Sequence, residues 1–188
     1  MSISNISSKK NRVLIRELVI TDFKLRYQGS VLGYAWSLLK PLFLFAVMYV
    51  VFVHFLRFGQ DVPHFVSALL LGIVLWTFFV ETVTQGMQSI VNRGDLIRKI
   101  SFPKYIIVVS SSLSALINLV INLLVVLAVM LIDGVDFGWS ALLFPITILF
   151  IYIMSLALAL LFSAVYVKYR DLGPIWEVLV QALFYATP

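Results

Sequence analysis

Residues Tyr105–Ile132 read YIIVVSSSLSALINLVINLLVVLAVMLI, twenty-eight positions without a single charge. A second uncharged run extends from Phe137 to Val167. Each exceeds the roughly 20 apolar residues that carry a helix across a bilayer. A soluble helix buries one stripe and wets the other, so runs of this length have only lipid or other spans to pack against. The reading is an all-α integral membrane protein.

Working outward, a run from Phe65 to Ile90 holds one charge, Glu81, and a shorter one from Pro41 to Leu56 lengthens back to Val31 if Lys40 snorkels to the interface. The expected organisation is a single transmembrane domain over 1–188, with spans at 31–56, 65–90, 105–132 and 137–167. Residues 172–188 begin a fifth span. The apolar sequence stops there without a basic flank, which leads to the expectation that the chain is a C-terminally truncated copy of a longer protein. The outer connections, 57–64 and 133–138, are short, so consecutive spans should form tight hairpins.

Composition agrees: 62% of residues are hydrophobic and 12% charged, the mean hydropathy is +1.04, and the net charge is +5. The basic residues adjoin the apolar runs instead of forming a patch interleaved with exposed aromatics, which argues against nucleic acid as a partner. They also orient the chain. With the N-terminus cytoplasmic, 13 of the 14 Lys and Arg residues fall on inner segments, Arg57 being the exception. Without cysteine there is no disulfide, thiolate zinc site or cysteine nucleophile. Ser2–Arg26 is polar and basic and does not resemble a cleaved secretory peptide.

No phosphate-binding loop, HExxH zinc motif or repeated carboxylate pair is present, so no catalytic residue is assigned, no metal is expected, and an engine for active transport would sit on another chain. His54 and His64 receive no role. Asn11–Tyr27 reads as an interfacial helix with two apolar stripes: Leu14, Leu18 and Leu25 on one side, Val13, Ile20, Phe23 and Tyr27 on the other. It is either a plain membrane anchor or a helix with one stripe on lipid and one on protein. Between spans two and three, Asn92–Lys104 has an apolar side of Leu96, Ile97 and Ile100 and ends on Phe102-Pro103. That is more apolar than a solvated loop requires, which points to a docking helix over a topology-setting loop.

Glu81 is the acidic residue well inside a span, where a charge costs about 2.5 to 3.5 kcal/mol on insertion scales. With Thr77, Thr84 and Gln85 it makes one side of that helix polar, serving either a substrate passage or a structural hydrogen bond. Aromatic rings can stack on the apolar faces of sugars, and Tyr49, Trp76, Phe78 and Phe79 are the mid-span candidates to line such a passage; the other reading of each is plain packing. Trp36, Tyr105, Trp139, Tyr166, Tyr169 and Trp176 fall near span ends and are expected either in the core or in an interfacial belt.

Arg26-Tyr27, Ser30, Leu32-Gly33, Trp36 and Pro41, followed by Asn92, Leu96-Ile97, Phe102-Pro103, then Tyr169-Arg170-Asp171 and Thr187-Pro188, form an ordered set over the whole chain. The set resembles the membrane subunits of type-2 ATP-binding cassette exporters of polysaccharide, which serve O-antigen, capsule and teichoic acid export. The resemblance implies a bundle of about six spans in the full protein, four complete plus the start of a fifth here, in the bacterial cytoplasmic (inner) membrane. It further implies a homodimer joined to two copies of an ABC ATPase that binds ATP and Mg, with no cofactor held by this chain.

Residues 11–27 would then be a gate helix, and Asn92, Leu96, Ile97, Ile100, Phe102 and Pro103 would couple to the ATPase. Arg12, Arg16, Lys24, Arg26 and Tyr27 would stand where an undecaprenyl-type lipid pyrophosphate carrying the glycan approaches. The resemblance makes the chain a transporter permease subunit in lipopolysaccharide biosynthesis, without an ATPase site of its own. Alternatives are export of a lipid, a drug or teichoic acid, and a membrane scaffold that transports nothing.

Overall fold

The computed structural model describes residues 9–26, 33, 35–55, 63–99, 102–136 and 138–186. The helices are α1 (Lys9–Arg26), α2 (Ala35–Tyr49), α3 (Phe65–Asn92), α4 (Gly94–Lys99), α5 (Tyr105–Ile132), α6 (Phe144–Tyr166) and α7 (Leu172–Ala186). A π-helical segment, Val50–Phe55, extends α2, and a 3-10 turn, Trp139–Leu143, precedes α6. No strand occurs among the described residues. Among the described residues, four segments are long and apolar enough to cross a membrane: Ala35–Val53, Phe65–Asn92, Tyr105–Ile132 and Ala141–Tyr166. The fold is all-α and multi-pass, as the uncharged runs require.

The distribution of side chains on α5 is that of a membrane helix. Ser110, Ser111, Ser112, Ser114, Asn118 and Asn122 are buried, while Ile117, Val120, Leu124, Leu127 and Leu131 are exposed. Small and polar residues face protein and large apolar ones face outward, because lipid solvates leucine and small residues let helices approach closely. The hydroxyls do not go unsatisfied. Ser110, Ser111 and Ser112 donate to the carbonyls three residues earlier at 2.8, 2.9 and 2.8 Å. Ser112 also meets the Tyr152 hydroxyl at 3.1 Å. Satisfying polar groups within the chain is what hydrocarbon surroundings demand.

Two compact units are distinguished. The first comprises Met1–Arg26, Phe79–Ala115 and Phe150–Pro188, so it holds α1, the second half of α3, α4, the start of α5, most of α6, and α7. Its core is Val83, Met87 and Trp176, surrounded by Phe79, Leu158, Phe162, Tyr166, Leu172 and Val180. Gly86 lies where α3 meets α6: a Cβ there would fall 2.6 Å from the Ala159 Cβ, so the approach is possible only without a side chain.

The second unit comprises Tyr27–Phe78 and Leu116–Leu149. Leu70, Ile73, Val74 and Phe78 of α3 are buried in it, as are Leu119 and Val126 of α5. Gly134 ends α5 at φ +69, with Val135 N–H donating to the Met130 carbonyl at 3.0 Å and Gly134 N–H to the Leu131 carbonyl at 3.4 Å. This left-handed stop needs glycine, and it delivers Asp133 to the start of α3. There the Asp133 Oδ2 accepts from the Ser67 hydroxyl at 2.7 Å and lies 3.4 Å from His64 Nδ1.

Candidate functional site

In the first unit α1 packs through one stripe. Leu18 is buried, Leu14, Ile15, Val19 and Asp22 are half-buried, and Arg12, Val13, Arg16, Glu17, Ile20, Thr21 and Lys24 are exposed. Positions 14, 15, 18, 19 and 22 follow the i, i+3, i+4 spacing of one helix face. Of the two apolar stripes seen in the sequence, the one containing Leu14 and Leu18 meets protein, and the one containing Val13 and Ile20 is left outward. The side chains of Phe23, Leu25 and Arg26 and all of Tyr27 lie outside the described residues.

The protein-facing stripe ends in a charge. Asp22 Oδ1 pairs with Nη2 of Arg93, the residue between the end of α3 and the start of α4, and the two side chains are 22% and 15% exposed. Burial pushes the Arg93 guanidinium below its ordinary value. Arginine stays charged at neutral pH regardless.

Beyond Arg93, α4 is a single short turn and a half. Asp95 lies in its first turn and Arg98 and Lys99 in its last, the arrangement that complements the helix dipole. Ile97 N–H bonds back to the Arg93 carbonyl at 3.1 Å, and Ile106 N–H to the Pro103 carbonyl at 3.1 Å. Asn92 is exposed, whereas Leu96, Ile97, Phe102 and Pro103 are half-buried. Ile100 lies outside the described residues. Helix α3 runs on through Asn92, and α4 starts at Gly94, with Arg93 as the turn between them.

Glu81 is half-buried on α3 in the first unit, and its Oε1 accepts from Gln85 Nε2, one turn on, at 2.9 Å. Thr84 accepts from the Trp176 indole N–H at 2.8 Å. Thus part of the polar side of α3 read from the sequence holds α7. Trp176, expected in the core or in an interface belt, is 4% exposed and sits in the core with Phe162 at 5.3 Å and Phe79 at 6.2 Å between ring centroids. Its large ring fills space among α3, α6 and α7, and its single donor finds Thr84, which is what makes an indole tolerable there.

The four mid-span aromatics do not share one environment. Phe79 packs on Trp176 in the first unit. In the second unit Phe78 is buried, Trp76 is half-buried, and Tyr49 is half-buried with its ring 5.9 Å from that of Phe45. Among the described residues no cluster of three or more His, Asp or Glu could hold a metal ion.

The Asp22–Arg93 pair is not evident from the sequence, where Arg93 is one of the basic residues that orient the chain. The available signal was Asp22 itself, an acidic residue in line with Leu14 and Leu18 on a basic helix. The serine run of α5 was likewise visible but read only as uncharged.

The family model described as ABC-2 type transporter matches residues 13–188. An O-antigen export system permease protein RfbA of Myxococcus xanthus is 33% identical over 181 residues, covering 94% of this chain and 67% of that protein. Two proteins of the same name from Klebsiella pneumoniae are 28% and 27% identical over 177 residues, each match covering 91% of this chain and 66% of the relative. The chain therefore spans about two thirds of the length of the curated relatives it matches. With four bilayer-length helices and a family match from residue 13 onward, the chain belongs to the ABC-2 type transporter family of multi-pass membrane subunits.

Proposed function

We propose that the chain is the permease subunit of an exporter that moves lipid-linked polysaccharide of the O-antigen type across the bacterial cytoplasmic membrane. ATP hydrolysis on a separate ABC ATPase subunit would drive it. The observation that carries this reading is the match over more than nine tenths of the chain to permeases named for O-antigen export. The arrangement in the first unit supports it: an interfacial helix and a short amphipathic helix joined at one corner is what a membrane subunit needs to receive force from a partner.

In this reading the N-terminus is cytoplasmic, which puts nearly all basic residues inside. Two permease copies pair with two ATPases. Helix α4, with Asn92 before it and Phe102-Pro103 after it, seats on the ATPase through Leu96, Ile97 and Ile100. Exposed Arg12, Arg16 and Lys24 on α1, with Arg26 at its last position, offer cationic contacts to the pyrophosphate of an undecaprenyl-type carrier, and Tyr27 next in sequence offers a neutral hydroxyl. Glu81 is assigned to the passage, and each of the aromatics Tyr49, Trp76, Phe78 and Phe79 stays a lining candidate within its own unit. ATP and Mg belong to the partner chain.

The test is to purify the full-length protein from native membranes in mild detergent, identify what accompanies it and assay hydrolysis. A stoichiometric ABC ATPase is the expected result. Absence of such a partner under conditions that preserve the permease would overturn the transporter reading in favour of a scaffold.

A further inference from the structure

Two segments of the first unit with separate tasks in the proposed function, the interfacial helix α1 and the short helix α4, are tied by one ion pair. Asp22 stands at the C-terminal end of the buried stripe of α1, one turn beyond Leu18. Arg93 stands at the corner between Asn92, the last residue of α3, and Gly94, the first of α4.

Three observations bear on what this pair does. The first concerns selection by orientation: among the charged residues of α1 whose side chains are described, Arg12, Arg16, Glu17 and Lys24 are exposed and only Asp22 is turned towards protein. The second concerns compensation. Asp22 Oδ2 and Arg93 Nη1 are buried with no hydrogen-bond partner among the described residues, so each group relies on the other. Separating them would leave two partly buried charges without their partner, whereas moving them together keeps the pairing. The third is leverage: α1 is also seated on α5, with Leu18 buried and the Ser114 hydroxyl 3.5 Å from the Val19 carbonyl. A displacement of the corner at Arg93 is thus applied to α1 beyond its seat.

We propose that Asp22 and Arg93 are positioning residues that make α1 and the α3–α4 corner one moving body, so that a push received by α4 tilts α1. The origin of the push rests on the transporter reading; the linkage of the two segments does not.

The experiment uses the full-length permease assembled with its ATPase in lipid nanodiscs. It compares Asp22→Asn, Arg93→Gln, the conservative Arg93→Lys, and the exchange Asp22→Arg with Arg93→Asp. Amide hydrogen exchange in α1 and α4, ATP hydrolysis and glycan export are read at equal amounts of complex. The expected result for either neutralising variant is faster exchange in both helices and loss of export per ATP hydrolysed, with hydrolysis retained. The charge exchange, or Arg93→Lys if the exchanged protein does not fold, restores both protection and export. Faster exchange in neither helix or in one alone, unchanged export per ATP, or failure of every charge-preserving variant to restore them overturns the proposal. If the parent complex itself hydrolyses ATP without exporting, the transporter reading fails, and the hydrogen-exchange comparison alone decides the linkage.

Discussion

The indole nitrogen of Trp176 donates to the Thr84 hydroxyl at 2.8 Å across 92 positions of sequence, and the bond fixes α7 against α3 inside the first unit. The partners are not equivalent. Without the indole N–H, the Thr84 hydroxyl can turn to a carbonyl of its own helix; without Thr84, the indole N–H faces apolar rings.

Thr84→Val is therefore expected to destabilise more than removal of the indole donor alone. Leaving a buried donor unsatisfied costs about 1–3 kcal/mol, against about 0.5–1.5 kcal/mol for losing an ordinary hydrogen bond. Trp176→Phe adds a packing loss to the smaller figure, so the double variant is needed to separate the terms. Thermal unfolding in detergent of both single variants and the double should show strongly non-additive losses. Additive losses would mean that the bond does not hold α7.

Gly86→Ala is expected to destabilise by about 1–3 kcal/mol through overpacking, because the added Cβ would stand 2.6 Å from that of Ala159. Ala159→Gly in the same chain should return most of the loss. Thermal unfolding of the pair checks this, and no recovery in the double variant would show that the contact does not set the spacing of α3 and α6.

Glu81→Gln keeps an acceptor for Gln85 and removes the charge. Export is expected to fall while the amount of protein in the membrane stays level, as measured by glycan surface display against immunoblot. The opposite pattern, lost protein with normal export per molecule, would assign Glu81 to holding the helix.

Leu96→Asp or Ile97→Asp is expected to abolish association with the ATPase and leave insertion intact, as read by co-purification. Both side chains are half-buried, so a thermal scan of each variant must accompany the pull-down. Association retained by both would remove α4 as the docking element.

How much of this was legible depended on the physical scale of each signal. An uncharged run as long as Tyr105–Ile132 leaves no polar face for water and suits only lipid or other spans, so the all-α membrane class follows from the sequence. The end of α5 is legible too, since Asp133-Gly134 carries the left-handed stop in its composition. The partners of Asp22 and Trp176 are not. Their contacts lie 71 and 92 positions away, and no local periodicity tells an interfacial arginine from one that turns inward to a carboxylate. Trp176 shows the limit plainly: near a span end, an indole in a belt and an indole in a core share the same sequence context, and only the position of Thr84 separates them.

The most direct test is export itself. The full-length protein and its ATPase would be reconstituted in proteoliposomes loaded with an undecaprenyl-linked O-antigen glycan, and transfer of the glycan across the bilayer followed with a glycan-directed probe. Transfer that requires hydrolysable ATP and stops when the ATPase is omitted is the expected result. Hydrolysis by the assembled complex with no glycan transferred would contradict it.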